Sequence, residues 1–548
     1  ILAQASSGSG RRGNRRLHTH PCGVQLPIYN FYISSAQRRD AVPVSAPGVP
    51  RGPAAAMAQA HEAKAIGPAN GAAYGAAVGS DAAPAIHGGN SAFLTAGIIV
   101  ADVVGAGILS MAVAVKLLGW AMGAVAIVLL LAMNVHISIL LWRVHMQHPQ
   151  ARTFMELTSA VCADMPEGTR AAVVGLVGAA QSSFLFMVLG LYSLSIGEGL
   201  GKLFYDTQIC LPVWTLIGSL VLLPVHINAT SLGSYTSLIY VNCSTILGSI
   251  FVPLIYMATL GVEVTRPPTA GFYAVNPTLS FSDAVRGVSI FAFAFTGQFI
   301  LVEIISEMKD REEFPKAYTY LSAPFQCAAF LIVGLGGYYF KGDSVDGIII
   351  DSIGFGPTFR LAAVCLLSHM LITYLIKGIV FCQGVHRSLE GARADEKGNR
   401  AWAIWASIVG CTITLTWFTA NLVPFFNDLV DLLGASLTPF CCWIVPIGLY
   451  VSTVASGGLK DRSIGLAEWT VIGLELLLSV VLMVAGTGIT IAHIFSQWQS
   501  YGGPFECHCE TLWNTCECSA MQPGMEYCSN EARTEALLSL ELRRGIFR

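Results

Sequence analysis

Eleven stretches of the sequence are predominantly apolar and have about the 20 residues that a helix needs to cross the hydrocarbon layer of a membrane. We expect each stretch to form one membrane span. In chain order the spans are Phe93–Val115, Trp120–Trp142, Val173–Ile196, Leu211–Ile227, Tyr235–Gly261, Gly287–Ile305, Tyr318–Phe340, Leu361–Phe381, Ala401–Phe426, Leu432–Ser456 and Val471–Trp498.

Two of these spans are interrupted near their middle by glycine and polar residues. The first contains Asp102 and two glycines within Ala101–Ser110, and the sixth contains a threonine, a glycine and a glutamine within Phe291–Gln298. Backbone groups inside hydrocarbon need partners, so an unwound turn persists only where protein or a water-filled cavity receives it. We therefore predict two broken helices whose free N–H and C=O groups bind an ionic ligand. Close helix packing through small residues is the alternative explanation of the glycines.

The two interruptions lie five spans apart along the chain. Because five is odd, spans one to five and six to ten would cross the membrane in opposite directions. The predicted fold class is therefore an all-α polytopic membrane protein with eleven helices, arranged as two inverted repeats of five with breaks in helices 1 and 6. Such paired breaks mark the binding site of many secondary transporters.

Composition agrees with a membrane protein, since 54% of the 548 residues are hydrophobic and 12% are charged, and the mean hydropathy is +0.60. The net charge of -3, without a basic patch, argues against a nucleic-acid partner. No loop offers a nucleophile with its base, a phosphate-binding motif or a cluster of metal ligands, so we expect neither an enzyme nor a metal or cofactor. The expected partners are a small solute and membrane lipid, and the expected state is a monomer.

The chain divides into three regions. Residues 1–90 are rich in Ala, Gly, Pro and Ser and are predicted to be disordered and cytoplasmic. The first methionine is Met57, so residues 1–56 are interpreted as a reading-frame artefact or, because of their arginines, as a transit peptide. Residues 91–498 form the predicted transmembrane domain, and residues 499–548 form a cysteine-rich tail.

Lysines and arginines set the predicted orientation. With a cytoplasmic N-terminus, the cytoplasmic loops carry twelve of these residues and the opposite loops carry six, as the positive-inside rule requires. Eleven spans then place the tail outside the cell or in a lumen, where its cysteines would form disulfides; a zinc site is the alternative. The tail cysteines are Cys507, Cys509, Cys516, Cys518 and Cys528, and Cys210 is one candidate partner for the odd one. Cysteines within the spans, such as Cys441 and Cys442, are expected only to pack.

Three groups of motifs resemble the amino acid/auxin permease family, at the family's spacing and over most of residues 91–495. They are Val104–Ser110 with Leu118–Trp120, then Phe293–Gln298 with Glu303, Glu307–Lys309 and Phe314–Lys316, and finally Asn421–Phe426 with Leu433–Pro439. The resemblance implies the bacterial leucine-transporter-like fold and secondary active transport of amino acids. The coupling ion stays open between a proton and sodium, and the membrane between the plasma membrane and a vacuolar or lysosomal membrane. An amino acid sensor with little flux is the alternative function.

The predicted site lies at the two breaks. The substrate-binding candidates are Val104, Gly105, Ala106, Gly107, Ile108, Phe293, Phe295, Thr296, Gly297 and Gln298. Asp102 and Thr373 are the candidates for ion coupling. Asp102 is a costly charge at mid-membrane, although it could instead cap a helix or pair with a neighbouring span.

We single out four other polar residues within the spans. Glu303 could line the pathway or pair with Lys309 or Lys316, and Glu475 is expected to have a structural or interfacial role. Lys377 is expected to extend to the cytoplasmic interface. His369 would line the site only if the eighth span does.

Overall fold

A computed structural model describes residues 89–205, 207, 209–229, 236–345, 347–390, 398–458, 464–501 and 504–505. Within these ranges the chain is helical and contains no β-strand, only an isolated bridge between Asn90 and Met308. Ten helical segments are long and apolar enough to cross a membrane, and the pair Ala92–Val103 and Ala106–Leu118, bent by 51°, satisfies the same criteria when taken together. The protein is therefore an all-helical, multi-pass membrane protein. The count of eleven spans and the inverted repeat stay predictions.

The first half of the bundle contains eight α-helices. They are α1 (Ala92–Val103), α2 (Met111–Leu118), α3 (Trp120–Gln147), α4 (Phe154–Val161), α5 (Glu167–Leu203), α6 (Leu211–Asn228), α7 (Thr236–Leu260) and α8 (Val262–Thr265). A short 3₁₀ turn, Ala106–Ser110, joins α1 to α2. Sequence chemistry fixes several helix starts: the Ser91 side chain accepts from the Leu94 N–H at the start of α1, and Thr153 caps α4 in the same way.

The second half continues in the same pattern with ten more α-helices. They are α9 (Phe281–Ala294), α10 (Leu301–Ser306), α11 (Phe314–Lys316), α12 (Ala323–Lys341), α13 (Pro357–Glu390), α14 (Asn399–Leu422), α15 (Phe426–Ala435), α16 (Val445–Ala455), α17 (Leu466–Val481) and α18 (Thr487–Tyr501). Short 3₁₀ turns cover Gln298–Ile300, Arg311–Glu313, Gly342–Ser344 and Ile349–Ser352, and π-helical turns cover Ala317–Ser322, Pro439–Ile444 and Leu482–Gly486.

The interior of the bundle surrounds the two interruptions. Every residue from Val103 to Ala112 is buried, because α2 packs against α9 and α12, and α9 packs against α15. The two long helices α5 and α13 pack against each other, and α13 also packs against α7. Large apolar side chains are exposed on the outer helices, for example Leu220 and Leu477, as expected for surfaces that face lipid.

We name the two ends of the bundle after residues that flank the first span. The Asn90 end holds Asn90, the junction of α10 with the Arg311–Glu313 turn, and the start of α4. The Gly119 end holds Gly119, the start of α9 and the start of α15. From the positive-inside rule, the Asn90 end is predicted to face the cytoplasm.

Candidate functional site at the two helix interruptions

The first interruption leaves backbone groups without helical partners. No hydrogen-bonded turn spans Val104 and Gly105, where the chain bends between α1 and the 3₁₀ turn. The N–H groups of residues 105–107 therefore have no acceptor in the preceding turn, and the carbonyls of residues 101–104 have no donor in the following one. A partial positive charge and a partial negative charge thus lie next to each other at this junction.

The second interruption also leaves backbone groups without helical partners. Helix α9 ends at Ala294, and no hydrogen-bonded turn spans Thr296 and Gly297 before the 3₁₀ turn that starts at Gln298. The N–H groups of residues 297–299 have no acceptor in the preceding turn, and the carbonyls of residues 294–296 have no donor in the following one. The two interruptions therefore offer similar sets of donors and acceptors.

The two interruptions are in direct contact. A Cβ atom added to Gly107 would lie 2.5 Å from the Cα of Ala294, and one added to Gly297 would lie 3.0 Å from Cγ2 of Val103. The glycines therefore allow a close approach of two backbones, which is the packing explanation of these residues. A Gly107→Val substitution would place a side chain against Ala294. A loss of transport in a Gly107→Val variant would therefore not distinguish substrate binding from packing.

An ion pair that is largely shielded from solvent lies at this contact. The Lys377 ammonium of α13 is 3.2 Å from Oδ1 of Asp102, and the two side chains are 13% and 16% exposed. The ammonium also lies 5.8 Å and 5.6 Å from the ring centroids of Tyr192 and Phe299, close enough for cation–π attraction. Oδ2 of Asp102 has no hydrogen-bond partner among the described residues, and it lies 4.0 Å from the position of a Cβ added to Gly297.

The position of Lys377 differs from the expectation of an interfacial side chain. The sequence-predicted span ended at Phe381, whereas α13 continues to Glu390. Lys377 therefore lies about 20 Å from the end of its helix, at a rise of about 1.5 Å per residue. A lysine so far inside needs a counter-charge, and Asp102 provides it.

Thr373 lies one turn before Lys377 and belongs to a polar cluster between α7 and α13. Its hydroxyl is 3.0 Å from Oδ1 of Asn242 and 2.8 Å from the His369 carbonyl oxygen. Nδ1 of His369 is 3.1 Å from the Asn242 carbonyl oxygen. These contacts join the helix that carries Lys377 to α7, so Thr373 has a structural role in addition to its predicted role in ion coupling.

Gln298 and Thr296 connect the second interruption to neighbouring helices. Nε2 of Gln298 donates to Oδ1 of Asn134 on α3 at 2.6 Å, and Nε1 of Trp443 donates to the same oxygen at 3.4 Å. The Thr296 hydroxyl is 3.2 Å from the hydroxyl of Thr438, which lies between α15 and the following π turn. Both side chains thus hold the unwound segment in place.

The remaining predicted residues are buried around the same contact. Phe295 is 1% exposed and packs edge-to-face on Phe330 of α12, with ring centroids 4.8 Å apart. Phe293, Val104 and Ile108 are also buried in the core. In this conformation these side chains contribute packing, and their contact with a substrate stays a prediction.

Cys442 packs against the second interruption. Its thiol lies beside the backbone N–H groups of Gly297, Gln298 and Phe299. The π-helical turn that contains Cys442 packs against the turn Gln298–Ile300. The apolar setting of the cysteine in the sequence gave no sign of this contact.

Charged residues close the Gly119 end. Arg286 of α9 donates from Nε to Asp431 at 2.9 Å and from a terminal nitrogen to Asp428 at 3.0 Å; the two carboxylates are buried, and the Arg286 side chain is 12% exposed. Nearby, the Ser110 hydroxyl donates to Asn427 at 2.6 Å. These contacts tie the first and sixth spans to α15 at the Gly119 end.

Glu303 closes the Asn90 end through a backbone contact. Its Oε1 accepts from the Phe154 N–H at the start of α4, at 3.0 Å, which is a favourable place for a carboxylate. No ion pair with Lys309 or Lys316 is formed in the described structure, and Lys316 pairs with Glu313 instead. Glu303 therefore joins the sixth span to the short helix α4.

Glu475 forms an interhelical pair with His136, at 2.8 Å, which fits the structural role predicted for it. Within the described residues, no group of three or more His, Cys, Asp or Glu side chains is arranged to hold a metal ion.

A multi-span helical bundle in which two interrupted helices meet beside an ion pair within the spans has the architecture of a membrane transporter. The chain matches the family model described as "Transmembrane amino acid transporter protein" over residues 88–492, and it belongs to this family. The family resemblance predicted from the sequence motifs is thereby confirmed, and so is the prediction of a transporter class and not an enzyme.

Two similar proteins come from Arabidopsis thaliana. The chain is 27% identical to Amino acid transporter AVT3B over 431 residues, covering 74% of this chain and 95% of the relative. It is 24% identical to Amino acid transporter AVT3C over 440 residues, covering 74% and 92%. Among solved structures, the nucleobase-cation-symport-1 family transporter MHP1, closed with bromovinylhydantoin bound, matches with a TM-score of 0.46 and 14% identity over 75% of this chain and 93% of MHP1.

Proposed function

We propose that this protein carries amino acids through its membrane at the contact between the two helix interruptions, and that a proton drives the transport. The membrane is the plasma membrane or that of a vacuole or lysosome. The observation that carries the proposal is the Asp102–Lys377 pair at this contact, which is largely shielded from solvent. A membrane protein keeps charges at such depth when they bind a substrate or an ion.

The backbone at the interruptions suits the two charges of an amino acid. The N–H groups of residues 105–107 would hold the carboxylate at the positive end of a half-helix. The free carbonyls of residues 294–296 would hold the ammonium group. Neither contact requires a charged side chain, which agrees with transport of zwitterionic amino acids.

The ion pair favours a proton over sodium as the coupling ion. A sodium ion bound at Asp102 would lie close to the Lys377 ammonium, which is 3.2 Å from the carboxylate, and the two positive charges would repel each other strongly in this setting. A proton instead binds to the carboxylate itself. It would neutralise Asp102, end the ion pair and leave the Lys377 ammonium free to move.

Transport also requires that the two closed ends open in turn. At the Gly119 end this means separating Arg286 from Asp428 and Asp431, and at the Asn90 end it means separating Glu303 from Phe154. We propose that the state of the Asp102–Lys377 pair decides which end opens, because α1 and α13 carry the pair and α1 leads to the Asn90 end.

The test is uptake of a panel of radiolabelled amino acids into proteoliposomes with an imposed proton gradient or an imposed sodium gradient. We expect accumulation of neutral amino acids with the proton gradient and no added effect of sodium. Accumulation that needs sodium would refute proton coupling. Saturable binding without measurable flux would refute transport and favour a sensor.

A further inference from the structure

A deep apolar groove lies on the surface of the bundle, away from the helix interruptions. It is formed by α5, α13 and α14 and has a volume of about 630 Å³, which is within the range of small-molecule sites. Its lining residues are Phe186, Phe381, Val385, Leu389, Arg400, Ala403, Ile404, Ser407, Ile408, Cys411, Thr412 and Leu415.

The polar side chains along the wall of the groove already have partners. The Ser407 hydroxyl donates to the Ala403 carbonyl at 2.8 Å, and the Thr412 hydroxyl accepts from the Cys382 thiol at 3.5 Å. The wall therefore offers a ligand mainly apolar surface. A hydrocarbon chain is the ligand that gains most from such a surface, because it needs no hydrogen bonds.

The mouth of the groove carries two opposite charges. Arg400 at the start of α14 donates to both carboxylate oxygens of Glu390 at the end of α13, at 3.2 Å and 2.9 Å. The two side chains are 63% and 20% exposed, so the guanidinium has N–H groups directed to solvent. This mouth lies at the Asn90 end, where α13 ends and α14 begins.

The groove is long enough to cross the hydrocarbon of one membrane leaflet. From Arg400 to Leu415 the helix rises by about 22 Å, whereas half of the hydrocarbon layer is about 15 Å thick. A lipid with its headgroup beside Arg400 could therefore lay one acyl chain along the whole groove. The exposed side chains of Leu389 and Leu415 lie near its two ends.

We propose that this groove is a binding site for an ethanolamine phospholipid in the leaflet at the Asn90 end. The phosphate accepts hydrogen bonds from Arg400, the primary ammonium donates to Glu390, and one acyl chain fills the groove. The complementarity of both charges favours this headgroup. A choline headgroup has no N–H to donate to Glu390, and an anionic glycerol headgroup would be repelled by that carboxylate.

The test uses the purified full-length protein in detergent, titrated with ethanolamine, choline and glycerol phospholipids that have identical acyl chains. Native mass spectrometry counts the bound lipids. We expect one ethanolamine lipid to bind about tenfold more tightly than the choline lipid, as a hydrogen bond to a charged group predicts. Equal binding of these two lipids, or tighter binding of the glycerol lipid, would overturn the proposal.

Substitutions in the groove test the binding of the acyl chain separately from the binding of the headgroup. Ser407→Trp fills the groove and should abolish binding, whereas Thr470→Trp is a matched control. Like Ser407, Thr470 is exposed and donates to the carbonyl four residues earlier, but it lies on α17 outside the groove. Both variants should elute as the parent does in gel filtration, and a folded Ser407→Trp that still binds the lipid would contradict the proposal.

Variants of Glu390 and Arg400 test the headgroup contacts even if a groove variant fails to fold, because both of these side chains have access to solvent. Glu390→Gln should reduce the preference for ethanolamine over choline about tenfold, and Arg400→Gln should weaken both lipids about tenfold. An unchanged preference in Glu390→Gln would show that this carboxylate does not bind the headgroup.

Discussion

Asp102 and Lys377 depend on each other because each charge is largely shielded from solvent and has the other as its counter-charge. Removing one member of a buried pair typically destabilises a protein by about 3–5 kcal/mol, since the other charge loses its partner. Replacing both members can be nearly neutral for the same reason. Substitutions in this pair are therefore expected to affect both stability and coupling, and these two effects can be measured separately.

We predict that Asp102→Asn and Lys377→Met each lower the melting temperature, and that the double variant recovers most of the loss. Thermal unfolding of the four proteins in detergent gives the interaction energy as a double-mutant cycle. Additive effects of the two substitutions would mean that the ion pair does not contribute to stability.

The same substitution also tests coupling. Asp102→Asn keeps size and hydrogen bonding but removes the ionisable group. We expect substrate exchange across proteoliposomes to continue in this variant, while accumulation driven by a proton gradient is lost. Gradient-driven uptake equal to that of the parent would exclude Asp102 from the coupling mechanism.

Helix packing at the interruptions depends on glycine at particular positions. A Cβ at Gly107 would overlap the backbone of Ala294. No neighbouring group lies within 4 Å of a Cβ added to Gly410 on α14. We expect Gly107→Ala to destabilise the protein by about 1–3 kcal/mol, as overpacking does, and Gly410→Ala to be neutral or slightly stabilising. Thermal unfolding compares the two variants, and equal melting temperatures would contradict the close contact between the interruptions.

The closure of the Gly119 end by Arg286 can be compared with a surface ion pair of the same chain. Arg286→Gln leaves Asp428 and Asp431 buried near each other without their shared cation, so we expect a loss of about 3–5 kcal/mol. Arg400→Gln removes a largely exposed pair with Glu390 and should cost less than about 1 kcal/mol. Chemical or thermal unfolding of both variants checks this order, and a reversed order would contradict the role of Arg286 as a buried closure.

The topology of the whole molecule can be tested through its cysteines. Cys210 is disulfide-bonded, and the cysteines of the tail, residues 499–548, lie outside the described residues. With the tail outside or in a lumen, an impermeant thiol reagent should label tail cysteines of intact cells or intact vesicles of the matching orientation only after reduction. Labelling without reductant would contradict the predicted disulfides, and labelling only after permeabilisation would contradict the orientation.

The sequence alone determined the features that depend on local composition. Long apolar stretches must become helices in a membrane, because a helix satisfies its backbone hydrogen bonds internally. Glycine and polar residues within two of those stretches therefore indicated where α1 and α9 would end. Motifs at fixed spacing around these positions were sufficient to predict the family.

The tertiary structure decided which distant side chains meet. The apolar surroundings of Lys377 gave no sign of its partner, and only the packing of α13 beside the first interruption brings its ammonium to Asp102. Asn134 and Cys442 likewise reach the second interruption from helices far away in sequence. The hydropathy of a span indicates only whether that span can lie in lipid. Ion pairs and buried hydrogen bonds depend on the angle and depth at which spans pack against one another, and the sequence of a single span does not determine these.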